Sequence, residues 1–311
     1  MKIIDLNLNN LDNKEENIIV LGNFDGFHMG HLSLIKKALM LEKETGYLTS
    51  CLLFKEHSNK LINSDNNFKF LMSNQDKIQM LDELHIKIAF LISFDENFMK
   101  LSKENFVGNF LHKKLGVKSI VVGEDYTFAY KSSGTSKDLQ EIGDKCNIKT
   151  YIAKDVLFNG TKVSSSLIRE KIKTGDIKSA NELLTRPYFI KGKVVHGKAR
   201  GKKLGFPTAN IEINENYLIA KDGVYTTIIE FGQKKYLSMT SIGFNPTFNG
   251  NRITIESHIL DFNEDIYNTE VKLYFLQRLR SNIKFNKIQS LIDQMKKDLI
   301  ETKKIGKLYK F

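Results

Sequence analysis

Apolar residues in this chain follow two rhythms. In the first half, short apolar runs read as buried strands: NIIVLG (17–22), YLTSCLLF (47–54), IKIAFLIS (86–93), VKSIVVG (117–123) and NIKTYIA (147–153). Between the runs, apolar positions recur at spacings of three and four. Leu32, Ile35, Ala38 and Leu39 follow the first run, and Ser73 opens a helix with Gln or Asp in its first turn. Another helix starts at Ser102 and stops at Gly116. Strands separated by helices predict parallel βαβ units with helices on both faces, an α/β architecture whose ligands bind at the carboxyl ends of the strands.

The second half keeps a different period. Two short helices, SSLIREKIKTG and DIKSANELL, come first. Then PYFIKGKVVHG, GVYTTIIEFG, KKYLSMTSIG, RITIESHIL and VKLYFL read as strands with no helix between them, until a helical stretch at KFNKIQSLIDQMKKDLIETKKI. Closely spaced strands predict an antiparallel sheet closed into a barrel, with one C-terminal helix. The change of pattern puts the boundary near Arg186–Pro187, giving domains 1–186 and 187–311. All three prolines lie at or beyond it.

Composition narrows the function. At 311 residues and 41% hydrophobic content, the chain can bury two cores. No apolar run is long enough to span a bilayer, and the N-terminus lacks the features of a secretory signal. A cytoplasmic protein with no membrane partner is expected. Cys51 and Cys146 stand alone, so neither a disulfide framework nor a zinc cluster is expected. The net charge of +11 suits anionic partners. Without an aromatic-laced basic motif, however, nucleic acid is not expected. One segment concentrates charge: Lys191 to Lys203 holds six Lys or Arg and no carboxylate.

GNFDGFHMGH (22–31) is the sharpest chemical signal. It joins a strand to a helix at the carboxyl edge of the expected sheet, where unpaired N–H groups and the helix dipole favour an anion. Its glycines let a ligand approach the backbone. His28 and His31 can donate to phosphate oxygens and to charge growing in a transition state. The rival readings are a zinc site, for which His57 is the only further ligand nearby, and a pair of packed core histidines.

The same stretch resembles the HxGH signature of nucleotidyltransferases. Further motifs in order, VVGEDYTFAY, VSSSLIR, GDIKSANELLTRPYFIKGKVVHGKARGKKLGFPTANI, SIGFNPTFNG, IESHILDF and LRSNIKF, resemble those of the prokaryotic bifunctional riboflavin kinase/FMN adenylyltransferase (FAD synthetase) family over nearly the whole chain. The resemblance implies a Rossmann-like nucleotidyltransferase domain followed by a β-barrel kinase domain. It implies two activities: phosphorylation of riboflavin by ATP, then adenylylation of FMN to FAD. ATP, riboflavin, FMN and FAD are the implied substrates or products, with Mg²⁺ as cofactor.

By the same resemblance, Gly22, Asn23, Phe24, Asp25, Gly26, His28, His31, Asp125, Ser164, Ser165 and Arg169 handle the nucleotide of the first site. Gly201, Lys202, Gly205, Pro207, Thr208, Asn210 and Tyr225 handle that of the second. Thr208 and Asn210, which alone read as an ordinary turn, are implied to hold Mg²⁺. Glu256 is implied as the base that takes the riboflavin hydroxyl proton, and its isoleucine neighbours suggest a partly desolvated carboxylate. Phe54, His57, Arg280 and Phe285 are implied flavin contacts. The chain departs from the family pattern at FKEHS, where two prolines are missing, at Ala129 and at Asn282. The lost prolines motivate an alternative: a riboflavin kinase whose transferase domain is weakened.

Overall fold

The computed structural model describes residues 1–6, 13, 15–55, 68–93, 95–197, 201, 204–247 and 250–309. The chain divides into two units, Met1–Phe68 with Met72–Ser164, and Lys69–Leu71 with Ser165–Phe311. The switch of sequence pattern at Arg186–Pro187 therefore follows the division of packing, because the two helices before it belong with the barrel.

The first unit runs β1 (Lys2–Leu6), β2 (Asn17–Val20), α1 (Met29–Thr45), β3 (Leu48–Phe54), α2 (Asn74–Glu83), β4 (Ile88–Ile92), a one-turn α3 (Glu96–Met99), a π-type α4 (Asn105–Lys114) and β5 (Val117–Gly123). A small hairpin, β6 (Thr127–Phe128) and β7 (Gly134–Thr135), precedes α5 (Ser136–Lys145) and β8 (Lys149–Ala153). A second, β9 (Leu157–Phe158) and β10 (Thr161–Lys162), closes the unit. Six strands pair in parallel in the order β1-β4-β3-β2-β5-β8. The predicted α/β sheet is present, with β1 added at its edge. That strand escapes a pattern reading because most of its residues are half-exposed or exposed.

All four residues of β2 are buried, as a central strand covered on both faces requires. Its register is held by Asn17, which is fully buried. The Asn17 amide donates to Glu15 O at 3.0 Å and to Leu115 O at 2.5 Å, and its oxygen accepts from Ser50 Oγ at 2.7 Å. One face of the sheet packs Ile19, Leu52, Phe90, Ile120 and Val122 against Phe106, Phe110 and Leu111 of α4.

The second unit opens with α6 (Ser165–Thr174) and α7 (Ile177–Leu184). β11 (Tyr188–Val195), β12 (Ala209–Glu212), β13 (Gly223–Phe231), β14 (Lys234–Thr247), β15 (Gly250–Ile259) and β16 (Glu270–Arg280) follow, then α8 (Ile288–Gly306). The strands close into a barrel, β11-β12-β15-β14-β13-β16. Every pairing is antiparallel, as expected. Closure leaves no exposed sheet edge. β12 was not expected as a strand: it is short, and its sequence reads first as a ligand loop. α7 joins the barrel through Asn181, whose amide donates to Phe275 O at 2.8 Å while its oxygen accepts from Tyr188 N at 2.7 Å.

The barrel interior holds buried hydroxyls as well as aliphatics. Thr227 Oγ1 lies 2.7 Å from Ser238 Oγ and 2.6 Å from Thr240 Oγ1, and Thr240 Oγ1 donates to Ser257 Oγ at 3.0 Å. Each hydroxyl thus has a partner, which a buried polar group needs.

α8 covers the outer wall, packing Ile292, Met295 and Leu299 against Phe206, Val224 and Met239. It is pinned by a two-pronged ion pair. Arg280 Nε donates to both Asp298 oxygens, at 3.1 and 2.9 Å, and Nη2 donates to Oδ2 at 2.7 Å. Asp298 is 5% exposed. Removing one partner of such a pair leaves the other charge buried and unmatched. Asp298→Ala should lower the stability of the barrel unit by about 3–5 kcal/mol, read as a shifted urea midpoint for exchange of the β16 amides. A change below about 1 kcal/mol would show that the pair does not hold α8.

Candidate active sites

The first site is built where β2 ends. Leu21 N still donates to Val121 O at 3.1 Å, and the chain then leaves the sheet. In the next six residues it turns left-handed three times, at Phe24 (φ 48°), Gly26 (φ 94°) and Phe27 (φ 44°). Bulky residues rarely adopt this conformation, which costs on the order of 1–3 kcal/mol at each. Burial offsets it: both phenylalanines are fully enclosed and stack with centroids 5.4 Å apart. Asp25 is buried beneath the loop, where Oδ1 accepts from Met72 N at 3.2 Å.

The loop delivers His28 as the N-cap of α1, its Nδ1 accepting from His31 N at 3.4 Å. The two imidazoles stack, centroids 3.8 Å apart and 20° from parallel. The first turn of α1 carries no acidic side chain, so the positive end of the helix dipole is not cancelled locally. Gly30 leaves room for this arrangement, since a Cβ there would lie 3.1 Å from His28 Cε1 and Nδ1. The same position is 3.9 Å from Val163 O, which brings the Val163–Ser164 end of the unit beside the first turn of α1.

Asp125 follows β5 and pairs with Lys162. Lys162 Nζ sits 2.7 Å from Asp125 Oδ2 and 2.9 Å from Asp155 Oδ2, and hydrogen bonds to these two carboxylates raise its pKa. Phe54, at the end of β3, is half-buried with its ring edge-on to Phe98 at 5.7 Å. Ser165 and Arg169 belong to the second unit, where Arg169 Nε donates to Lys69 O at 3.4 Å. His57 and Lys202 lie outside the described residues.

The second site is set by strand register. Asn210 pairs with Glu256, Glu256 with Ser241, Ser241 with Val224, and Val224 with Arg280. Directly paired residues share a face, so one row round the barrel places the Asn210 amide and the Glu256 carboxylate side by side. Thr208 precedes β12, and Gly205 (φ 82°) turns the chain into it. A side chain at Gly197 would collide with the Asn210 amide. One at Gly201 would collide with Phe206 O and lie 3.3 Å from Thr208 Oγ1. Gly197 and Gly201 therefore lie close against Asn210 and Thr208. His258, two residues beyond Glu256 on the same face of β15, donates from Nδ1 to Pro207 O at 2.8 Å. Its signal was the two-residue spacing from Glu256.

Three expectations need correction. Glu256 is exposed, not desolvated: Ile255 is buried inside the barrel, while Glu256 takes the opposite face, as alternation along a strand dictates. Tyr225 also points inward and is fully buried, so its ring offers a nucleotide no surface. Its hydroxyl donates to Lys221 O, and burial pushes its pKa up to about 12. Arg280, expected against flavin, is bound to Asp298 instead. Phe285 is half-buried just beyond β16. Nearby, Asn282 Nδ2 donates to Ile242 O at 2.8 Å, a use for the amide that replaces the family's acidic residue.

The donors at Thr208 and Asn210 are a hydroxyl and an amide oxygen, both hard and neutral. Among the described residues no group of three or more His, Cys, Asp or Glu forms a metal cluster. This set fits Mg²⁺, which takes few protein ligands and completes its shell with water and substrate phosphates.

Comparison with known proteins agrees with the division into two sites. A family model described as FAD synthetase matches residues 10–167, and one described as riboflavin kinase matches 184–306. The bifunctional riboflavin kinase/FMN adenylyltransferase of Listeria monocytogenes is 38% identical over 92% of this chain and 91% of its own length. The protein of the same name from Bacillus subtilis is 34% identical over 92% of each chain. A crystal structure described as a macrolide-efflux protein from Streptococcus pneumoniae superposes with a TM-score of 0.91 at 31% identity, covering 97% of this chain and 99% of that one. Among the described residues here, no helix is long and apolar enough to cross a membrane.

Gly30 gives a test of the first site that separates geometry from stability. Alanine inside a helix is worth up to about 1 kcal/mol over glycine, but here its methyl group would press on the His28 ring. Gly30→Ala should keep or raise the melting temperature while shifting the His28 and His31 ring resonances. Unchanged imidazole spectra would refute the close packing.

Proposed function

The chain belongs to the bifunctional riboflavin kinase/FMN adenylyltransferase family, and from that membership we propose how its two sites divide the work. The protein phosphorylates riboflavin to FMN and adenylylates FMN to FAD, using ATP in both steps. The adenylyl transfer is assigned to the loop at Gly22–His31, and the phosphorylation to the outer row of the barrel.

In the first reaction the riboflavin 5′-hydroxyl attacks the γ-phosphorus of ATP, the bond to the β–γ bridging oxygen breaks, and ADP leaves. Glu256 is the base that accepts the hydroxyl proton. Its exposure does not disqualify it, because the carboxylate needs only to reach the substrate, and bound flavin would exclude water from it. Thr208 and Asn210 would hold Mg²⁺, which would supply positive charge to screen the ATP phosphates. His258 keeps Pro207, and with it Thr208, in register with Asn210. Gly197 and Gly201 let the backbone close on the polyphosphate.

In the second reaction an FMN phosphate oxygen attacks the α-phosphorus of ATP and pyrophosphate leaves. Phosphoryl chemistry of this kind asks for alignment and charge stabilisation more than for covalent help. His28 and His31, stacked over the positive end of α1, donate to the phosphate oxygens as negative charge shifts to the leaving group. Ser164 adds a hydroxyl from the end of the same unit. Asp125 faces the cationic partner Lys162 in the absence of nucleotide.

The observations that carry this reading are, in one unit, the pairing of Asn210 with Glu256 across two strands and, in the other, the stacked imidazoles of His28 and His31. The kinase-only alternative is not favoured: the FAD synthetase match spans residues 10–167, and both histidines stand at the head of α1.

Two variants separate the activities. With riboflavin, ATP and Mg²⁺, the wild-type chain should give FMN and then FAD, resolved by chromatography. Glu256→Gln should lose FMN formation by about 10²-fold or more, yet convert supplied FMN to FAD at the wild-type rate. His28→Ala should stop the reaction at FMN, with FAD formation down about 10²–10³-fold. Equal loss of both activities in either variant would refute the assignment.

A further inference from the structure

Lys77 is a lysine where a helix normally buries an aliphatic residue. It lies on the covered face of α2, one turn before Leu81, and is 5% exposed. Its ammonium donates to Asn23 O at 3.2 Å. The same helix entrance holds the loop from the other side, since Met72 N, just ahead of the Ser73 cap, donates to Asp25 Oδ1. The buried Lys77 ammonium and the Met72 N–H thus grip successive parts of the segment 23–25, at the Asn23 carbonyl and the Asp25 carboxylate. This segment includes Phe24, the first of the residues forced into a left-handed conformation.

We propose that Lys77 is a positioning residue for the adenylyl transfer, acting through the loop rather than on the substrate. This rests on the assignment of that reaction to Gly22–His31. Burying an ammonium is costly unless hydrogen bonds compensate it. A charge at this depth therefore calls for a reason other than packing. The loop supplies one. Its left-handed turns hold only while the surroundings over-determine them. The Asn23 carbonyl is the point at which α2 can fix the peptide entering Phe24. From there the constraint passes through the Phe24–Phe27 stack to His31, whose ring lies 5.3 Å from that of Phe24, and so to the His28–His31 pair. A charged donor also holds a carbonyl more firmly than a neutral one.

The test uses the full chain and three substitutions, with both reactions measured on each preparation. Lys77→Met should remain folded, read by its melting transition. Its kcat for FAD formation from FMN should fall at least about 30-fold, with KM for ATP within about threefold, because the imidazoles are displaced from their transition-state positions and not from ground-state binding. Riboflavin phosphorylation in the same tube should stay within about twofold, since the other unit carries it. Lys77→Arg, which keeps a charged donor, should recover at least about a third of the lost kcat. If Lys77→Met does not fold, Lys77→Gln takes its place with the same expectation.

FAD formation within threefold of wild type in a folded Lys77→Met would overturn the proposal. So would a loss confined to KM, or an arginine variant no better than methionine. A wild-type chain that makes no FAD from FMN would instead overturn the functional assignment, so the two failures are distinguishable.

Discussion

The first unit depends on where β2 sits between its neighbours. A parallel strand buried on both faces has no solvent side to set its register, and a slip of one residue would exchange its two faces. Asn17 removes that freedom. Its amide and carbonyl meet groups from the segment before β2, the end of α4 and β3, so only one alignment satisfies all three. With Asn17 held, Val20 is the last residue in the ladder and Gly22 the first free of it. The short connection that follows must then reach the head of α1 through left-handed turns. Strain at Phe24 and Phe27 follows from a strand and a helix that are each fixed elsewhere.

The barrel obtains its site by the opposite route. The row Asn210–Glu256–Ser241–Val224 pairs regularly, and the β13–β16 register shifts just after Val224↔Arg280; closure of the sheet brings the residues together. The interior supports that closure with hydroxyl groups that hydrogen-bond across strands, as well as with aliphatic packing. The outer wall is then shared. One stretch is taken by α8, seated on Val224 and Met239 and tied down by Arg280, and the remainder is open at Glu256. The Arg280–Asp298 pair therefore stands at the border between covered and accessible wall.

Much of this was legible in the residues. Spacing separated the sheet with its helices from the barrel, because helices stand between the strands of the first half and the strands of the second follow one another closely. The two candidate nucleotide sites were read from motifs. What escaped was whatever depends on partners distant in sequence. β1 lacks a buried face of its own and exists because β4 offers it an edge. The exposure of Glu256 was misread because its isoleucine neighbours along the chain are not its neighbours in space. Tyr225 was placed by motif although its strand position turns it inward. Lys77 gave a faint signal, a cation in the apolar stripe of α2, that only the position of Asn23 could interpret.

The two sites also differ in how they respond to change in their surroundings. A site made by strained backbone is only as good as the contacts that over-determine it, so residues that never approach the substrate can govern it. A site made by register is governed by the ladder itself, and its sensitivity is confined to residues that break pairing or fill the glycine positions at 197 and 201.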